Sequence, residues 1–500
     1  MHHRIFEIDE LARLISCHLV SSHRASAVSL ACACRSLEEP ALSSLWERQD
    51  SLTTLIGVSP IIVVGGEVCD RGYLPTLTSP HLQVTEPDSP GSAWQRFRRH
   101  VSWMRLLVLR EEDDRWMKAD VFNQILAGST SGLVCPNLCS LTLYFTRANQ
   151  QFIPRFLSPR LTNFTIRIRP SYRKIPRDLL PDPIPILQAL PTSCLQELSI
   201  NLGPYGTDRL EDEISSVVQR CGHSLRVLSV LTPLGEAAVR RVVGFENLRV
   251  WNTVRSPPPS TLPLSTPFPP LWSLILRNDA RGWIPWLAQR ERGISDARGG
   301  SADRVGLGDT LVHLVFCGRI PVDATFISPL SLFPNLAHLS VQSNCAGPAG
   351  CVFSLTDQDV IRLSAALPRL GVLDLGHPCS NNTSHTTVSC LLALSVRCKG
   401  LIQLKIHLNT TNLIGDIQSL SEDPDFRSLG SLPTRCRLLS FDAGSLPFPH
   451  PASDEDITTI AAGLIGIFPS LVEVHPYIDL GWAPLHSSIR KLQRGACLNV

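Results

Sequence analysis

With 16 cysteines and 15 histidines among its 500 residues, the chain first raises the question of metal or thiol chemistry. A structural zinc site needs two close pairs of ligands, and a nucleophilic thiol needs a histidine with an orienting partner. Neither pattern is met. Cys32 and Cys34 form a Cys-x-Cys pair, with no second pair and no histidine following at zinc-finger spacing. Cys17–His18 and His377–Cys379 are isolated couples, for which core or surface placement is the ordinary outcome. The stretch "IIVVGGEVCDRG" (61–72) lacks the third glycine and the Lys-Ser/Thr of a phosphate loop and reads as a turn. The acidic run Glu111–Asp114 reads as a solvated loop after a strand. Arg167, Arg169, Arg173 and Lys174 come nearest to a phosphate pocket, but their proline-rich surroundings suggest an exposed loop. No catalytic, metal-ligating or cofactor-binding residue is assigned, and the expectation is a non-catalytic protein without a cofactor.

The totals point the same way. Hydrophobic residues at 43% and charged residues at 18% are those of a folded chain. A net charge of +2 argues against general nucleic-acid binding, which needs a concentrated basic surface. Glu7, Asp9 and Glu10 interrupt the apolar start, so no signal peptide is expected. The scattered cysteines then read as small buried hydrophobes in a reducing compartment. The apolar run "ITTIAAGLIGIF" (457–468) is too short to cross a bilayer. These features predict a soluble cytoplasmic or nuclear protein, with no membrane or nucleic-acid partner.

One phrase recurs along most of the chain: apolar, two residues, apolar, one residue, apolar. Clear copies are "LCSLTL" (138–143), "LQELSI" (195–200), "LRVLSV" (225–230), "LAHLSV" (336–341) and "LIQLKI" (401–406). The thirteen candidate starts are Met104, Leu138, Leu161, Leu195, Leu225, Leu248, Leu271, Leu311, Leu336, Leu370, Leu401, Cys436 and Leu471, spaced 23 to 40 residues apart. Side chains alternate along an extended segment, so positions four and six share one face and position one anchors the turn leading in. Helices fit between copies, at 210–224, at 354–369 with Thr356 as cap, and at 453–469 with Ser453 as cap. Strand, loop, helix and return describe a leucine-rich-repeat solenoid, irregular because the usual Asn or Cys after the strand is mostly missing. The predicted class is α/β, with parallel strands on the concave side and helices on the convex side. Residues 93–485 are assigned to the solenoid, with mobile inserts near 255–270 and 289–308, a connecting segment at 51–92 and a C-terminal tail at 486–500.

The first residues differ. "IDELARLISCHL" spaces Leu11, Leu14, Ile15 and Leu19 as a helix face, "RASAVSLACACRSL" does so with Ala27, Leu30, Ala31 and Cys34, and "EEPALSSLWERQD" with Leu42, Leu45 and Trp46. Three short helices within residues 4–50 cannot bury much surface alone, so they need a partner chain or the neighbouring repeats.

This head resembles the F-box. An apolar lead-in (Ile5, Phe6, Ile8), "DEL…LI…HL", "AVSLACACRSL" and a Trp about ten residues later follow its pattern. With "WQRFRRHVSWMRLL" and the repeats after it, the chain is similar to the F-box/leucine-rich-repeat proteins abundant in mushroom-forming fungi. The resemblance is specific in residues 5–50 and generic beyond. It implies a substrate-recognition adaptor of an SCF-type (Skp–cullin–F-box) E3 ubiquitin ligase. The head would dock on a Skp-type adaptor and through it a cullin, while the repeats hold a target protein. The adaptor contacts carried over are Ile8, Leu11, Ile15, Leu19, Leu30, Cys34, Leu37, Leu42 and Trp46. Asp9 stands where F-boxes usually have proline, which preserves the helix as a cap but alters the adaptor contact. The alternative is a leucine-rich-repeat scaffold outside any ligase, its head packed on the first repeats.

Overall fold

A computed structural model of the chain describes residues 9–33, 35–52, 90–110, 113, 132–168, 181–202, 208–254, 256, 258, 268–278, 282–297, 306–318, 320–342, 353–375, 385–422, 436–443, 453–475 and 483–497. The residues fall into two units, Met1–Leu225 and Arg226–Val500.

The first unit opens with α1 (Asp9–Ser22), α2 (Arg24–Ala33) and α3 (Arg35–Glu47), each packed on the other two. Directly after α3 comes β1 (Arg48–Gln49), then α4 (Pro90–Trp103) and β2 (Leu106–Leu109). Strands β3 (Ser140–Tyr144), β4 (Asn163–Arg167) and β5 (Glu197–Asn201) follow, with α5 (Ile184–Ala189) before β5 and α6 (Asp208–Cys221) after it. Each strand from β1 to β4 pairs in parallel with the next one in sequence.

The second unit repeats the plan. Its strands are β6 (Val227–Val230), β7 (Val250–Val254), β8 (Ser273–Arg277), β9 (His313–Cys317), β10 (His338–Gln342), β11 (Val372–Asp374), β12 (Gln403–Lys405), β13 (Ser440–Asp442) and β14 (Glu473–His475). They too pair in parallel, in sequence order. Its longer helices are α7 (Glu236–Val243), α8 (Trp283–Ala297), α11 (Asp357–Ala366), α12 (Val388–Arg397), α13 (Leu413–Glu422), α14 (Asp454–Ile467) and α15 (Ala483–Cys497), with single turns α9 (Leu307–Thr310) and α10 (Ala324–Ile327). This is a solenoid-like α/β repeat.

The phrase explains the burial. At positions one, four and six, Leu141 and Leu143 after Leu138, or Leu404 and Ile406 after Leu401, are all 0% exposed. Thr356 and Ser453 close reciprocal capping boxes with Asp359 and Asp456, as their spacing predicts. Position four also admits larger residues: Trp251 fills it on β7 and packs edge-on to Trp283 of α8 at 5.3 Å.

Five expectations need correction. The copy assigned to Cys436 starts two residues later, at Leu438: Leu438, Phe441 and Ala443 take the inward positions one, four and six, and Cys436 is buried ahead of them. A further strand, β1, carries Gln49 where leucine is the rule; its amide Nε2 donates to Leu45 O at 2.7 Å, which lets a polar residue take a core position. The insert placed at 289–308 begins inside α8, where Arg290 is 2% exposed and its guanidinium lies over the Trp286 ring at 5.1 Å. The tail placed at 486–500 is helical to Cys497, because Leu485 and Ile489 bury on the end of the array. There His486 Nδ1 accepts from Val474 N and Gln493 Nε2 donates to Leu471 O, so α15 covers the open side of β14.

The fifth concerns Asp113, expected in a solvated run. Its carboxylate is 1% exposed and accepts from Ser51 Oγ at 2.6 Å, Leu52 N at 3.0 Å and Arg110 N at 2.8 Å. It ties the residues after β1 to the end of β2. Asp113→Ala should cost about 1–3 kcal/mol by stranding the buried Leu52 amide and releasing that of Arg110, and hydrogen exchange at Leu52 and Arg110 should accelerate more than at Leu141.

Candidate interaction surfaces

In the head, the three helices meet through small residues. Ala12, Ala27 and Ala41 are at most 1% exposed, Ser16 is fully buried with its hydroxyl donating to Ala12 O, and Ala31 and Ser44 complete the contact. Close approach through alanine and serine leaves larger apolar side chains outside. Leu14 is 66% exposed, Val28 49% and Leu11 38%. Ile15, Leu19, Leu30 and Leu42 are half-buried.

Two of the carried-over contacts are committed inward. Leu37 is 1% exposed, and Trp46 stacks on His100 of α4 at 4.7 Å. Burial, with Arg99 and Arg96 nearby, lowers the His100 pKa and keeps the ring neutral. Ile8, Cys34 and the Asp9 side chain lie outside the described residues, as do residues 61–72, Arg169, Arg173, Lys174, His377 and Cys379. Of the remaining motifs, Cys32 is exposed, and Cys17 Sγ lies 3.5 Å from Ser44 Oγ.

The strand face of the second unit carries a polar row that the sequence did not single out. Ser273 Oγ and His313 Nδ1 share a 2.7 Å hydrogen bond, the rings of His313 and His338 lie 4.2 Å apart, and the exposed Trp272 indole stacks over His313 at 6.1 Å. Burial and the neighbouring His338 push His313 down to about 4, and burial also lowers His338. Both rings are therefore neutral donors and acceptors at pH 7. Ser273 is 3% exposed, which keeps an incoming carbonyl away from its hydroxyl. Further along, Ser340 Oγ donates to Asp374 at 3.1 Å and Lys405 pairs with Asp442 at 3.4 Å. Such a row can orient polar groups of a bound chain. The signal for it was available in principle: Ser273, His313 and His338 occupy position three of their phrases.

Among the described residues no group of three or more His, Cys, Asp or Glu could hold a metal ion, and no helix is long and apolar enough to cross a membrane. The buried thiols are raised, Cys221 and Cys398 to about 12, by burial first. They stay protonated and pack as hydrophobes.

No protein-family model matches the chain, and no curated protein matches it. Among solved structures, the leucine-rich repeat-containing protein LegL7 from Legionella pneumophila is similar over 79% of this chain and 91% of its own, at 10% identity and a TM-score of 0.27. A likeness that distant carries no argument by itself. The leucine-rich-repeat character rests on the parallel strands and their buried phrase.

Proposed function

We propose that the chain is the substrate-recognition adaptor of an SCF-type ubiquitin ligase, its head docking on a Skp-type adaptor and its repeats holding a target protein. It has no catalytic part: ubiquitin transfer is done by partner proteins, and the chain contributes proximity. The observation that carries the reading is the exposure of Leu11, Leu14 and Val28 on helices that pack through alanine and serine. Three exposed large apolar residues on two short helices are worth about 1.5–3 kcal/mol each once buried by a partner. Ile15, Leu19, Leu30 and Leu42 extend that face at its half-buried margin.

Leu14→Asp should abolish capture by a Skp-type adaptor in a pull-down at micromolar concentration, with the thermal midpoint unchanged. Trp46→Ala is not a docking probe, since it removes the stack on His100. Undiminished capture by both Leu11→Asp and Leu14→Asp would sink the docking reading.

A second reading has its own support. Leu37 and Trp46 face inward, and β1 continues from α3 into the parallel ladder. The head then serves as a cap for the repeats, and the chain is an interaction scaffold outside any ligase. Absence of adaptor capture by the native chain favours that reading.

A further inference from the structure

Position two of the phrase lies at the start of each strand and opens to solvent, so the fold places little demand on it. In the earlier repeats it is mostly polar: Arg105, Thr162 and Gln196 in the first unit, Arg226 and Arg249 in the second. From β8 onward it changes. Trp272, Val312, Ala337, Gly371, Ile402, Leu439 and Val472 occupy it in turn, without a charge or a hydroxyl. These residues are direct neighbours, since the amide of each donates to the carbonyl of the one before, at 2.7 to 3.0 Å, from Val472 back to Trp272. Trp272 is 53% exposed, Ile402 49%, Leu439 46% and Val472 42%.

The stripe has a profile. It is bulky at both ends and small in the middle, where Ala337 and Gly371 adjoin. Glycine is not required there by the backbone, because the φ of Gly371 lies outside the left-handed region. Nor is it required by packing: an added Cβ would meet only the carbonyl oxygens of Ala337 and Gly400, each at 3.5 Å, an ordinary contact. The missing side chain therefore leaves a notch that folding does not need. Two or three residues before Gly371, Ile402 and Leu439 in the sequence stand Arg369, Lys399 and Arg437, exposed and without an ion pair among the described residues.

We propose that this stripe binds an acidic amphipathic helix of a partner protein, one large apolar side chain of the helix seated in the notch at Gly371. Neighbouring strands lie about 4.8 Å apart, so seven of them span about 29 Å, the length of about 19 helical residues. The apolar stripe of a helix advances about 5.4 Å per step, close to the strand spacing, whereas alternate residues of an extended chain advance about 6.8 Å and drift out of phase. The three exposed cations select carboxylates flanking that stripe. This names the partner chemistry of the repeat region and rests on the reading that the repeats hold a target. It does not depend on the head docking to an adaptor.

The test uses the full chain and a fluorescein-labelled 22-residue peptide with leucines on one helical stripe, glutamates beside it and a central phenylalanine. Three control peptides carry lysine for glutamate, leucines moved off the stripe, or a central proline. The expected result is saturable binding of the first peptide alone, weakened at least tenfold by Leu439→Glu, by Gly371→Trp and by Arg437→Glu, with unchanged thermal midpoints. Equal binding of the lysine or off-stripe peptide, or indifference to Leu439→Glu and Gly371→Trp, overturns the proposal. Equal binding of the proline peptide assigns the stripe to extended chains and overturns the helical occupant. Self-association that Leu439→Glu abolishes assigns it to a second copy of the chain and also overturns it. Adaptor capture measured on the same variants separates failure here from failure of the ligase reading, since all of them are in the second unit and leave the head sequence unchanged.

Discussion

Trp283→Ala will cost the second unit about 4 kcal/mol, read as a fall in its urea midpoint with the slope unchanged. The indole is 1% exposed and stands edge-on to Trp251 at 5.3 Å and to Trp286 at 5.4 Å. Its Nε1 donates to Ser256 O at 2.6 Å, which fixes the chain just after β7. Truncating a buried aromatic costs about 3–5 kcal/mol, because the cavity is only partly refilled. The lost edge-to-face contacts are part of that sum. Trp283→Phe keeps a ring but strands the Ser256 carbonyl, so its cost should be smaller, about 1–2 kcal/mol. A midpoint for Trp283→Ala within experimental error of the native chain would mean that the aromatic cluster does not organise this part of the array.

Acid will destabilise the second unit between pH 6.5 and pH 4, and His407 will account for much of the loss. The ring is 1% exposed, next to Phe353 at 5.4 Å, and burial pushes its pKa down to about 4. A base with a depressed folded pKa binds more protons when unfolded, so stability is fully present above the unfolded value near 6.5 and falls toward the folded one. For a shift to about 4 the loss between pH 7 and pH 5 is about 2 kcal/mol. His313, also pushed down to about 4, adds in the same direction, as does the lowered His338. His407→Leu should therefore flatten the pH dependence, whatever its effect at pH 7. Urea midpoints at pH 7 and pH 5 for both chains decide the matter: an equal drop in each would place the acid sensitivity elsewhere.

The repeat was legible because every copy obeys one rule of alternation, and that rule depends on local spacing alone. Leu138, Leu141 and Leu143 announce a strand whatever surrounds them. The misses share a cause: a tertiary partner changed the meaning of a local pattern. Gln49 takes a leucine position because Leu45 O receives its amide. Asp113 left its acidic run for a buried anchorage because Ser51 and Leu52 meet it from a distant part of the chain. Arg290, in a stretch rich in charge and glycine, is covered by the ring of Trp286. In the head, helical spacing gave the three helices but not their facing. The spacing left open whether the leucine face packs on this chain or on a partner; Ala12 and Ser16 bury, and Leu14 points out. A helix of alternating small and large apolar residues has two faces that can bury, and only its neighbours decide between them.

The sequence-ordered pairing within each unit has a consequence for synthesis. Each strand of the second unit after β6 hydrogen-bonds to the strand made just before it. A nascent chain leaving the ribosome can therefore add one repeat at a time to a finished template, without waiting for distant segments. At every stage one strand edge is exposed at the growing front, where a second nascent chain could join. That exposure ends when α15 emerges and places His486 and Gln493 along β14.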